Sequence, residues 1–284
     1  LFIEYGPTVQ IRSAESRVWR DGKRRKSRYY EGPLAVMINR LSASASEIFA
    51  GAIQDYGRGI IVGEQSFGKG TVQSLVALQE GQLKVTESKF YRISGESTQH
   101  RGVIPDIEYP SLFDPEQIGE SALDNALAWD QIAPARFNRY NDYHPILPTL
   151  TDLHEKRAAN DPDYLYLKDQ VSLAKEARTI TALPLWQSGR LEMRDDQEQK
   201  ALEIENKRRV AKGLEPLVTL NSGDTTDDTT NSEDAEGGTD SPGQEDSEAE
   251  RIGDVLLMET GRILVDTITL RPTTGLASRG KRAS

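Results

Sequence analysis

The sequence predicts a mixed α/β half-domain over residues 1–110 and a mainly α-helical extension over 111–220, followed by a disordered acidic linker over 221–250 and a terminal helix with a frayed basic end over 251–284. Three observations carry this division. Short apolar or alternating runs separated by turn residues fill the first part. Amphipathic and charge-dense stretches follow it. Residues 221–250 then hold eleven Asp or Glu, no Lys or Arg and almost no large apolar side chain. Such a composition cannot bury enough apolar surface to offset the entropy of ordering the chain.

Within 1–110 the candidate strands are Leu1–Ile3, Val9–Arg12, Leu34–Ile38, Gly59–Val62, Thr71–Leu78 and Leu83–Ile93. Between the second and third lies the charged run Arg20–Arg28, read as a solvated hairpin-like loop with Asp21-Gly22 at its tip. Apolar residues at 48, 49, 52, 53 and 56 follow helical spacing over Glu47–Tyr56, and Gly57 supplies the stop. Beyond residue 110 the pattern turns helical. Asp161-Pro162 reads as a cap followed by proline at the first helical position, with Tyr164, Leu167, Val171 and Ala174 on one face. Glu192–Lys212 is dense in charge and reads as an exposed helix or arm. Ile252–Leu270 returns to apolar character and reads as a final helix despite Gly261.

The formal net charge of −10 over 284 residues belongs to the acidic segment, because the remainder carries 34 acidic against 35 basic residues. Nothing in that remainder marks a nucleic-acid binder. No apolar run approaches the ~18 residues of a membrane span. The absence of cysteine excludes disulfides and thiolate metal sites. The chain opens on Leu1-Phe2-Ile3, which reads as an element already under way in a longer protein.

Two short motifs carry the chemistry. Ser44 sits in the small-residue turn of Leu-Ser-Ala-Ser-Ala-Ser-Glu-Ile-Phe-Ala (41–50), at a helix start. Lys69 sits in Gly-Glu-Gln-Ser-Phe-Gly-Lys-Gly-Thr-Val-Gln (63–73), at a strand start. Serine is a weak nucleophile until a neighbouring base takes its proton. None of the three histidines lies in a small-residue turn. A lysine can replace histidine where burial disfavours its ammonium form. The pair therefore suggests a serine–lysine hydrolase, with the Ala45 N–H at the helix start as an oxyanion donor. Alternation along the strand places Lys69, Thr71 and Gln73 on one face, where the Gln73 carbonyl can accept from the lysine ammonium.

Blander readings stand beside these. Ser44 and Glu47 fit a capping box, which makes Ser44 a helix cap and the chain a non-catalytic interaction protein. Gly63, Gly68 and Lys69 come close to a phosphate-binding loop. That motif requires Ser or Thr after the lysine and a following helix, whereas Gly70 and a strand-rich segment follow here.

Taken together, Ser42–Ala50, Gln54–Arg58, Val62–Glu64, Phe67–Gln73, Lys89–Tyr91 and Gly102–Ile107 resemble the tail-specific, or carboxy-terminal-processing, serine proteases, above all their large bacterial periplasmic branch. The likeness continues more loosely through Asp124–Trp129 to about residue 220. The resemblance implies a crotonase-like protease fold, Ser44 as nucleophile, Lys69 as general base and Gln73 as its orienting partner. It also implies that Asp55, near the end of the helix that begins after Ser44, belongs to the site in a supporting role. No metal or organic cofactor is implied. The partners implied are unfolded or C-terminally tagged polypeptides, with an adaptor or regulator protein besides. The family's PDZ module and its glycine-rich oxyanion segment would precede Leu1, so residues 1–284 alone are expected to be inactive.

Overall fold

The computed structural model describes residues 1–27, 29–220 and 248–270. Two sheets organise the first part of the chain. β1 (Gly6–Ser13), β2 (Val18–Lys23), β5 (Thr71–Ala77) and β6 (Gln82–Tyr91) form an antiparallel sheet in the order β2-β1-β6-β5. β3 (Ala35–Ile38), β4 (Ile60–Gly63) and β7 (Ile107–Glu108) form a parallel sheet in the order β3-β4-β7. β4 is buried at every position and reads as an unbroken apolar run, as a central parallel strand must.

α1 (Ala45–Asp55) is the crossover between β3 and β4, long enough to return the chain for parallel pairing. Its Ala50, Ala52 and Ile53, with Tyr56 just beyond it, pack with Ile3, Ile38, Ile61, Ile93, Val103 and Ala135 into the main apolar core. Gly57, at φ +56°, ends the helix where an added Cβ would meet the Asn141 carbonyl O at 1.9 Å.

Three sequence expectations are corrected here. Leu1–Ile3 forms no strand; it contributes Ile3 to the core, and the Phe2 carbonyl accepts from Arg58 at 3.0 Å. Asp21-Gly22 lies inside β2, and the β1–β2 turn falls earlier, at Ser13–Arg17. Gly22 permits close approach there, because a Cβ would stand 2.3 Å from the Gly6 carbonyl O. Residues 111–146 hold only a short 3-10 turn, Glu120–Ala122, and no α-helix. This stretch is held to the sheets by its backbone, with Ile132 N–H donating to Gly95 O and Ala135 N–H to Ile93 O, both at 2.8 Å.

The helices of the remainder are α2 (Leu147–Ala158), α3 (Pro162–Arg178), α4 (Gln187–Ala211) and α5 (Glu248–Leu270). The chain divides into two compact units, Leu1–Glu155 with the chain from Met258, and Lys156–Leu257. In the second unit Asp161 caps α3 by accepting from the N–H groups of Asp163 and Tyr164 at 3.0 and 3.3 Å, with Pro162 at the first helical position. Tyr164, Leu167 and Val171 are buried, and Arg208 of α4 reaches Asp163 of α3 at 2.6 Å. In the first unit α5 buries Ile263 fully, while Thr260 bonds Tyr109 at 2.9 Å and Glu259 bonds His154 at 3.0 Å. The expectations for residues 221–247 and 271–284 lie outside the described residues.

Candidate active site

The turn that carries Ser44 is shaped locally. Leaving β3, the Asn39 side chain accepts the Leu41 N–H at 3.0 Å, and Ser42 Oγ accepts the Asn39 N–H at 3.1 Å. Ser44 then adopts φ 58°, ψ −111° as the N-cap of α1. A non-glycine residue held at such angles costs on the order of 1–3 kcal/mol, and persists only where its surroundings over-determine it. Ser44 and Glu47 also form the capping box that the sequence offers, with Glu47 accepting the Ser44 N–H. Ser44 is half-buried, and the next N–H, that of Ala45, donates no hydrogen bond among the described residues. A helix-start donor is thus open there to an acceptor.

Lys69 lies in the extended turn between β4 and β5 and is also half-buried. Its two glycines are there for the backbone. Gly68 has φ +93°, and a Cβ on Gly70 would stand 2.5 Å from the Gln99 N. The Gln99 side chain, fully buried, accepts the Gly70 N–H at 2.8 Å, and the Gly68 carbonyl accepts the His100 N–H at 2.8 Å.

One side chain joins the two turns. The Glu47 carboxylate is fully buried. Its Oε2 accepts the Ser44 N–H at 2.8 Å and the Lys69 N–H at 2.9 Å; its Oε1 accepts the Gly68 N–H at 2.7 Å and the Ser66 hydroxyl at 2.6 Å. Ser44 and Lys69 are thus tied at their amides to a single oxygen atom, with the two nitrogens within about 6 Å of each other. Burial raises the Glu47 pKa, and the bonds from Ser66, Gly68, Ser44 and Lys69 oppose that rise. Arg40, also buried, donates to the Ser66 and Ile118 carbonyls at 2.7 and 2.6 Å; burial lowers its pKa, against the pull of Glu47 and Glu64. The sequence marks Glu47 only as a capping partner. The available signal was a carboxylate on the same face as Ala50 and Gly51, which helical spacing turns inward.

Two expected site residues stand elsewhere. Gln73 is exposed and donates to Thr86 Oγ1 at 3.4 Å, while Lys69 Nζ donates to the Thr71 carbonyl at 3.4 Å. No hydrogen bond joins Lys69 to Gln73 among the described residues. The strand begins only at Thr71, so its alternation does not extend back to Lys69, whose backbone is held by Glu47. Asp55 ends α1, about 16 Å along the helix from Ser44 at ~1.5 Å per residue. It is buried against Arg92 at 2.5 Å and accepts the Ser94 N–H at 3.3 Å, and so braces the helix against the chain that follows β6. The strand after Lys69 also overturns the phosphate-loop alternative, which requires a helix there.

Beside Ala45 lies a mainly apolar groove of about 280 Å³, lined by Ile48, Phe49 and Ile53 of α1 and by Phe2 and Ile3.

Residues 1–109 match the family described as peptidase family S41, and residues 113–269, more than half of the chain, match the C-terminal domain of tail specific protease (DUF3340). The chain is 40% identical over 229 residues to the tail-specific protease of Haemophilus influenzae, an alignment covering 76% of this chain and 33% of that protein. It is 54% identical over 78 residues to the carboxy-terminal-processing protease of Bartonella bacilliformis, covering 27% of this chain and 18% of that one. Among solved structures, the photosystem II D1 C-terminal processing protease is similar at 35% identity and a TM-score of 0.32, over 40% of this chain and 29% of that one. The chain thus spans about one third of the length of the Haemophilus protein.

Proposed function

Because the chain belongs to the tail-specific protease family of S41 peptidases, we propose that it forms the C-terminal part of a serine endopeptidase acting through a Ser44–Lys69 dyad. Ser44 Oγ attacks the scissile carbonyl carbon while Lys69 takes the hydroxyl proton. The tetrahedral oxyanion is met by the Ala45 N–H and by a second donor outside this chain. The C–N bond then breaks, the leaving amine takes the proton from Lys69, and an acyl ester remains on Ser44. Water, deprotonated by Lys69, hydrolyses that ester and restores the enzyme.

The observation that carries this reading is the shared Glu47 oxygen, which brings the backbones of Ser44 and Lys69 together although 25 residues separate them. The strained φ of Ser44 and the unused Ala45 N–H support it. Gln73 is not given a catalytic role, and Asp55 serves as a brace. The substrate is an extended or unfolded polypeptide. The outer edge of β5, next in sequence to Lys69 and unpaired in its sheet, can receive such a chain as an added strand. The apolar groove beside Ala45 is placed to take a side chain flanking the scissile bond. Recognition of the substrate's C-terminal tail falls to a PDZ module outside these residues, and the location is the periplasm, as the family likeness implies. No helix among the described residues is long and apolar enough to cross a membrane.

The test replaces Ser44 by Ala and, separately, Lys69 by Ala in the full-length protein, then follows cleavage of an unfolded polypeptide. Both variants should keep their thermal midpoint and lose turnover, since a general base alone contributes ~10²–10⁴-fold. Turnover retained by either would return Ser44 to the role of a helix cap.

A further inference from the structure

Glu47 holds the lysine turn at Gly68 and Lys69. The residues that flank that pair, Phe67 and Gly70, are held by Glu120, which opens the 3-10 turn Glu120–Ala122 in the same compact unit. The Glu120 N–H donates to the Phe67 carbonyl at 2.9 Å. Its Oε1 accepts from Gln99 Nε2 at 2.9 Å, and Gln99 Oε1 accepts the Gly70 N–H at 2.8 Å. Gln99 and Glu120 are both buried. The Phe67 N–H in turn donates to the Ser42 carbonyl at 2.9 Å, two residues before the proposed nucleophile.

The order of these bonds has a physical reason. A side-chain amide can turn over and exchange its oxygen for its nitrogen, but only its oxygen can receive the Gly70 N–H. An ionised carboxylate accepts and does not donate, so Glu120 draws the Gln99 nitrogen toward itself and leaves the oxygen facing Gly70. Without that carboxylate the buried amide has no partner to choose its orientation, and the Gly70 N–H loses its assured acceptor. Glu120 is itself set in place by Arg40, at the end of β3. Arg40 donates to the Ile118 carbonyl at 2.6 Å, to Ser121 Oγ at 3.3 Å and to the Ser66 carbonyl at 2.7 Å. Gly119, at φ +136°, permits this approach, because a Cβ there would stand 2.1 Å from Arg40 Nη2.

We propose that Glu120 is a positioning residue for Lys69: through its own N–H and through the Gln99 amide it fixes the backbone on both sides of the base. This rests on the Ser44–Lys69 dyad proposed above. Glu120 lies outside residues 1–109, which match the peptidase family, and inside the following segment matched to the C-terminal domain. That segment therefore supplies part of the support of the active site.

Steady-state cleavage of an unfolded polypeptide by the full-length protein tests this, read well below each variant's thermal midpoint and with Lys69→Ala in the same series. Glu120→Ala removes the acceptor for Gln99 and should lower kcat by roughly 10–10²-fold with KM within about twofold, because a base displaced by an ångström costs that much. Glu120→Gln still offers an oxygen to Gln99 and should keep kcat within about threefold of wild type. Gln99→Glu sets two carboxylates against each other and should fall as far as Glu120→Ala. Adding Glu120→Gln to Gln99→Glu reverses the polarity of the pair and should restore most of the lost kcat. The proposal is overturned if Lys69→Ala is inactive while Glu120→Ala keeps its kcat, or raises KM alone; the dyad then stands and Glu120 is a strut. Turnover retained by Lys69→Ala overturns the dyad, and the proposal with it. Should Glu120→Ala fail to fold, the exchanged pair decides: no recovery over Gln99→Glu overturns the proposal.

Discussion

At the scale of single residues, Glu47 matters most to the proposed site after the dyad itself. Four donors converge on its two oxygens, and three of them are backbone N–H groups that have no other means of satisfaction there. Replacing Glu47 by Gln puts an NH₂ where an acceptor is needed and strands at least one buried donor, at a cost of ~1–3 kcal/mol. Glu47→Gln should therefore lower the thermal midpoint by several degrees and reduce turnover more than in proportion, because the Ser44 and Lys69 turns drift apart. Differential scanning fluorimetry beside an assay on an unfolded substrate would check both; unchanged values would show that the two turns hold each other without it. The turns that carry Ser44 and Lys69 were legible in the sequence because the cues to each are local: small residues before a helix, glycines around a lysine. The bridging role of Glu47 was not, since its partners Ser66 and Gly68 approach only after β3, α1 and β4 have folded. Gln73 makes no bond to Lys69 among the described residues for a related reason: the alternation that would pair them holds only inside a strand that starts two residues later and is shifted in register between Val72 and Gln73.

At the scale of elements, β3, α1, β4, β5 and β6 were readable to within two residues at each end, because apolar periodicity and glycine stops mark them. The irregular stretch 111–146 was misread as helical, for its order comes from distant backbone partners rather than from periodicity. Asp130 is its main anchor, bonded to Arg12 and Lys89 at 2.5 Å each and to the Tyr91 hydroxyl at 3.1 Å. Burial pushes the Asp130 pKa up, but the Lys89 and Arg12 bonds outweigh it and leave the pKa below its usual value. A carboxylate whose folded-state pKa is depressed contributes stability above its unfolded value of ~3.9 and loses it as the pH falls through the folded value. Asp130→Asn should thus be less stable than wild type at neutral pH, with the gap narrowing as the pH drops below about 4. Thermal midpoints of both proteins across that range would show it; a gap independent of pH would mean that Asp130 holds the segment by geometry and not by charge.

At the scale of the molecule, the chain leaves the first unit after Glu155 and returns to it at Met258, so the final helix is part of the framework that holds the site. The return was legible only as an apolar helix, since nothing in residues 252–270 names Tyr109 or His154 as neighbours. Ile263 is fully buried there, and Ile263→Ala should cost ~2–5 kcal/mol and lower the midpoint of the first unit, though it stands almost two hundred residues after Lys69. Hydrogen exchange localised to α1 and β4 would report that loss, and unchanged protection would detach α5 from the framework. The account as a whole rests on Lys69 serving as the base for Ser44, and the full-length protein with Lys69→Arg puts that claim to its most direct test. Arginine preserves the positive charge and much of the bulk but does not give up its proton at any working pH. With folding confirmed by an unchanged thermal midpoint, the account predicts cleavage of an unfolded polypeptide reduced to background across the whole pH range. Near-normal turnover by Lys69→Arg would contradict it.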